Sequence, residues 1–70
     1  MTNWKPTHNG LEAKSYLPGC AEPIRYIVFR GAGDCHWRTQ RHHPDGTVIE
    51  FAPEYSEAGA MARCEREANK

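Results

Sequence analysis

No hydrophobic run in this sequence is long enough to cross a membrane or to serve as an N-terminal signal. Paired cysteines are lacking: Cys20, Cys35 and Cys64 are odd in number and share no paired spacing. A disulfide framework is therefore a poor basis for the fold, and a reduced, cytoplasmic protein with free thiols is expected. Metal-ligand spacing is also missing, with neither a Cys-x-x-Cys nor a His-x-x-x-His pattern. Cys35-His36 and His42-His43 are adjacent pairs, and adjacent residues on a strand point to opposite faces. No metal and no other cofactor is expected. Net charge is absent as well, since nine Lys and Arg cancel nine Asp and Glu at a pI near 6.9. A dedicated nonspecific nucleic-acid binder is usually strongly basic, so neutrality counts against that class.

What is present suits one small domain spanning 1–70. Seventy residues lie near the lower limit for folding without a metal, disulfides or a partner, and 39% hydrophobic residues allow one modest core. The charge is unevenly spread. Residues 25–43 carry Arg25, Arg30, Arg38, Arg41, His36, His42 and His43 with Asp34 as the sole acid, whereas acids outnumber bases across 44–70. The chain reads as electrically two-sided, a split that simple solvation of exposed faces also produces.

The segment 36–51 is the most informative. It reads as two strands joined by Pro44-Asp45-Gly46, a type I turn closed by a left-handed glycine in a three-residue hairpin loop. That loop sets His43 opposite Thr47, Arg41 opposite Ile49 and Thr39 opposite Phe51. Side chains alternate along a strand, so Trp37, Thr39, Ile49 and Phe51 share one face, while His36, Arg38, Gln40 and His42 share the other with Val48 and Glu50. Ile24 to Arg30 is the clearest strand, rich in β-branched and aromatic residues. Together these predict a three-stranded antiparallel meander over 24–51, with strands near 24–30, 35–42 and 47–51.

The flanks are read as an N-terminal arm and a helix. Residues 1–23 are polar and broken by prolines and glycines. Asn9 followed by Glu12 fits a capping box, giving a short helical turn over roughly 10–16 that stops at Leu17-Pro18-Gly19. Trp4, Leu11, Tyr16 and Leu17 would anchor this arm. A helix is predicted over 54–68, within a segment 53–69, with Pro53 in its first turn and Glu54 and Glu57 near its positive end. Tyr55, Ala58, Met61, Ala62 and Ala68 fall on the inner side, and Ser56, Gly59, Arg63, Arg66 and Glu67 on the outer. Glu65 falls within the apolar arc, where an edge position reaching water is the simplest outcome. A nearby arginine or a second subunit are the others. The expected fold class is α+β, three strands and one helix packed across the Trp37, Ile49 and Phe51 face.

Three resemblances bear on function. Gly33-Asp34-Cys35-His36 followed by His43-Pro44-Asp45-Gly46 resembles the HicA-type RNase toxins, which have a glycine-associated histidine on a strand; this implies His36 as general acid or base. Phe29-Arg30-Gly31, Trp37-Arg38 and the Ala-rich helix resemble the ethylene-response-factor and integrase arm-binding domains. That likeness implies a sheet in the DNA major groove, with Arg30, Arg38 and Gln40 on phosphates or base edges. In size and general character the chain resembles the short accessory proteins of phages and mobile elements, anti-CRISPR inhibitors among them.

The leading expectation is a non-enzymatic inhibitor of this last kind. It would dock on a protein partner, a nucleic-acid-binding complex, with direct contact to nucleic acid left open as an alternative. The binding residues expected are Arg30, His36, Arg38, Gln40, Arg41 and His42, with no catalytic residue and no membrane partner. Arg38 is the foremost anchor, because arginine is enriched at binding hot spots. The outer helix face with Arg63, Arg66 and Glu67 is the competing surface, for a partner or for a second copy in a homodimer.

Overall fold

The structure is a computed structural model and describes residues 3–16, 19 and 21–69. In chain order the elements are β1 (Lys5–Pro6), β2 (Gly10–Ser15), β3 (Ile24–Phe29), β4 (Arg38–His42), β5 (Val48–Glu50) and α1 (Glu57–Ala68). The strands form one antiparallel sheet in the order β1-β2-β3-β4-β5. The class is α+β with a C-terminal helix, but the sheet has five strands where three were expected.

The two additional strands come from the N-terminal arm. The capping-box reading of Asn9 and Glu12 is overturned, because Gly10–Ser15 pairs along its whole length with β3, from Gly10 opposite Phe29 to Ser15 opposite Ile24. The alternation of Leu11, Ala13 and Ser15 with Glu12 and Lys14 already has a strand's period of two. Burying Ala13 against the sheet outweighs a local helix-start signal. Gly10 fits this role for a steric reason: a Cβ there would collide with the backbone carbonyl of Val28. Leu17 and Pro18, the expected stop, lie outside the described residues.

The hairpin is as read from sequence. Gln40, Arg41 and His42 face Glu50, Ile49 and Val48. His43 N donates to Thr47 O at 2.8 Å and Phe51 N to Thr39 O at 3.0 Å. Gly46 adopts φ +95°, the left-handed region the turn requires, and Asp45 Oδ1 accepts from Thr47 N at 2.9 Å. The second strand is shorter than expected, however. It begins at Arg38, and Trp37 is tied instead to Glu54 by a pair of backbone hydrogen bonds at 2.7 and 2.9 Å.

That bridge also delays the helix. Glu54 is held in extended pairing, and Ser56 becomes the N-cap, its Oγ accepting from Gly59 N at 3.0 Å. The start therefore moves from 54 to 57, and Pro53 and Tyr55 precede the helix. Tyr55 is 85% exposed, not an inner residue. Ala58 and Ala62 are exposed too, while Ala60 and Cys64 are fully buried and Met61 and Ala68 pack beside them. Of the expected outer residues, Arg66 is exposed, but Arg63 and Glu67 are half-buried. Glu65 accepts a hydrogen bond from Trp4 Nε1 at 3.4 Å, which ties the arm to the helix.

The core is centred on β3, the middle strand, and not on the hairpin. Ile24, Tyr26 and Val28 meet Ala60 and Cys64, with Trp4, Trp37 and Phe51 at the margin. Small residues on α1 allow close approach to the sheet. Desolvation under the helix pushes the Cys64 thiol up to about 11. The helix lies over β3 and β4 on this face alone.

Candidate interaction face

Strand alternation and register leave the opposite face of the sheet as an ordered array of side chains. Three rows run across it. The first joins Lys14, Arg25, His42 and Val48; the second joins Lys5, Glu12, Ile27, Gln40 and Glu50; the third joins Gly10, Phe29 and Arg38. Ile27 and Phe29 are half-buried in the middle, because β3 is the middle strand. Charged and polar groups surround them.

The polar groups are interconnected. Arg38 donates from Nε and Nη2 to the two oxygens of Glu50, at 3.2 and 2.7 Å, while its guanidinium lies 4.9 Å from the centre of the Phe29 ring. Gln40 Nε2 donates to Glu50 Oε1 at 2.9 Å, which turns the amide oxygen toward His42. That oxygen is 2.9 Å from His42 Nε2. An amide oxygen only accepts, so Nε2 of His42 carries a proton. One carboxylate thus orders three side chains in sequence. Hydrogen bonds from Arg38 and then Gln40 hold the Glu50 carboxyl below its usual range, and the same bond raises Arg38. Desolvation, followed by the nearby Arg25, lowers His42. Arg25 in turn pairs with Glu12 at 3.4 Å.

This pairing changes the meaning of the charge count. The strand face is basic in sequence, yet its two arginines are each matched by a glutamate from a neighbouring strand. Around Arg38 the surface is a polar network about an apolar centre, not a plate of free cations.

Of the six residues expected to bind, Arg38, Gln40 and His42 are brought together here. The other three lie elsewhere. Arg41 projects to the helix side, opposite Ile49, with its guanidinium 5.6 Å from the Phe51 ring and its Nε donating to His43 Nε2 at 3.1 Å. Arg30 follows the end of β3 and rests over Trp37 at 5.1 Å. His36 lies in the connection before β4, not on a strand as the toxin resemblance implied. It is exposed, with its ring 4.9 Å from that of Tyr55. An open cleft of about 310 Å³ links His36, Asp34 and Pro53 to the Arg38–Glu50 pair.

Ile27, Phe29, Arg25 and Lys14 were missed as members of this face. The signal that would have found them is the same period of two, continued from the hairpin into β3 and β2. Among the described residues, no group of three or more His, Cys, Asp or Glu is placed to hold a metal ion, and no helix is long and apolar enough to cross a membrane. No protein-family model matches this chain, and no curated protein or solved structure matches it significantly.

Proposed function

We propose that this protein is a small non-enzymatic binding protein that docks on a protein partner through the open face of its sheet. One observation carries the reading: an uncovered middle strand presents Ile27 and Phe29, ringed by the Arg38–Glu50–Gln40–His42 network. An apolar centre with a polar rim is the anatomy of protein interfaces. Arg38 is held in place before binding by a two-pronged bond, so little side-chain order is lost on docking. The same bond weighs against a phosphate-reading role for Arg38, since Glu50 occupies its fork and repels an anion. The target class, a nucleic-acid-handling complex blocked in the manner of a phage-type, anti-CRISPR-like inhibitor, rests on the general character of the chain.

The test is affinity capture of partners from a bacterial lysate, with and without nuclease. A protein partner retained after nuclease treatment is the expected result. Specific retention of duplex DNA with no protein partner favours the integrase-arm reading instead, and RNA cleavage lost with His36→Ala would establish the toxin reading.

A further inference from the structure

The first row of the open face is unlike the rest. Lys14, Arg25 and His42 stand side by side on β2, β3 and β4, and neighbouring strands are about 4.8 Å apart. Arg25 is drawn to Glu12 and His42 to Gln40, but Lys14 and Arg25 stand directly opposite one another as like charges, an arrangement that costs stability. The three side chains border an open concavity of about 390 Å³, which His43 also lines. Lys14 is shared with a second concavity of about 320 Å³, lined by Asn3, Lys5, Glu12 and Tyr16. Tyr16, which lines this second concavity with Lys5 and Lys14, is 66% exposed. Cationic side chains lining a groove beside an exposed aromatic ring are the combination that holds single strands, where cations follow the backbone and a base stacks on the ring.

We infer that this end of the face is a short track for single-stranded nucleic acid, with phosphodiester groups on Lys14, on the part of the Arg25 guanidinium that its single 3.4 Å contact with Glu12 leaves free, and on His42, and a base on Tyr16. Opposing charges set its conditions. Glu12 on β2 is held by Arg25, Glu22 lines the first concavity, and Asp45 in the hairpin turn is engaged by Thr47 N. Near neutrality Lys14 and Arg25 are therefore offset by Glu12 and Glu22. Gln40 fixes the proton of His42 on Nε2, so the added proton in acid goes to Nδ1. Binding then strengthens as pH falls through the range in which His42 titrates, which lies below the ordinary imidazole value.

This inference uses the open face as a binding surface but does not depend on a protein partner. The probe is a labelled oligothymidylate of about ten nucleotides, followed by fluorescence anisotropy at about pH 5.5 and pH 7.5. Tighter binding at the lower pH is expected, with a logarithmic salt slope of about −2 for three phosphate contacts. Lys14→Glu should weaken binding about tenfold or more. That variant sets a carboxylate opposite Arg25, so its fold is kept. Tyr16→Ala should weaken it about fivefold or more, and Arg66→Glu on the helix side should leave it unchanged. No binding at low salt and low pH would overturn the inference. So would equal affinity for a labelled oligoglutamate peptide, or loss with Arg66→Glu but not with Lys14→Glu. Capture of a protein partner should instead be lost with Arg38→Glu and kept in Lys14→Glu, which separates failure here from failure of the docking reading.

Discussion

The two faces of one sheet solve different problems with the same strands. On the helix side, Ile24, Tyr26 and Val28 alternate along β3 at 8, 2 and 0% exposure beneath Ala60 and Cys64. On the open side, the residues between and beyond them, Arg25, Ile27 and Phe29, are exposed or half-buried, and a cross-strand network of ion pairs and hydrogen bonds orders their neighbours. Burial of apolar area stabilises the first face. Exposed ion pairs contribute little to stability, typically below about 1 kcal/mol each. The open network therefore defines a surface more than it holds the fold together.

The sharpest way to break this comparison is a pair of truncations on adjacent residues. Tyr26→Ala should cost roughly 3–5 kcal/mol, a large part of the stability of so small a domain, whereas Ile27→Ala should cost about 1 kcal/mol. Denaturant titration of the two variants measures both. Equal losses would mean that the open face is buried against something in solution. Next in size is Gly10→Ala, where the added Cβ meets the Val28 carbonyl; a loss of about 1–3 kcal/mol, or a shifted β2, is expected by the same measurement and by amide exchange across β2 and β3.

A smaller effect of opposite sign tests the covered face. Thr39 is fully buried, and its Oγ1 has no hydrogen-bond partner among the described residues. Thr39→Val keeps the shape and removes an unpaired hydroxyl, so it should stabilise by about 1 kcal/mol, read as a higher melting temperature. The open face has its own signature in pH. Glu50 is held below its ordinary range, so its contribution is present above the usual carboxylate value and is lost as pH falls through the lowered one. His42 is also lowered, so folding favours its neutral form, and that contribution is lost as pH falls through its own lowered value. Melting temperature should drop on acidification, and by less in Glu50→Gln, whose side chain does not titrate. An identical drop in that variant would remove Glu50 from the account.

The hairpin was legible in the sequence because a single turn, Pro44-Asp45-Gly46, fixes a register, and register assigns every side chain to a face. The two early strands were less legible. Asn9 and Glu12 carry a helix-start signal, and only pairing with β3, twelve or more residues away in sequence for most contacts, reveals Leu11 and Ala13 as strand residues. The helix start was misplaced for a similar reason. Glu54 looks like a first-turn acid until Trp37 engages its backbone. Among the residues expected to bind, the common face of Arg38, Gln40 and His42 followed from alternation alone, but the pairing of Arg38 with Glu50 depends on side-chain geometry, and Tyr55 beside His36 depends on where the helix begins.

The central claim, that the open sheet face and not the helix is the docking surface, is tested most directly by two charge reversals in the same capture assay, after both variants are shown to be folded. Arg66 is exposed on α1, remote from the network of Arg38. Arg38→Glu places a second carboxylate against Glu50 and should lower partner binding by more than about 2 kcal/mol, while Arg66→Glu should retain it. Binding abolished by Arg66→Glu and preserved in Arg38→Glu would contradict the account.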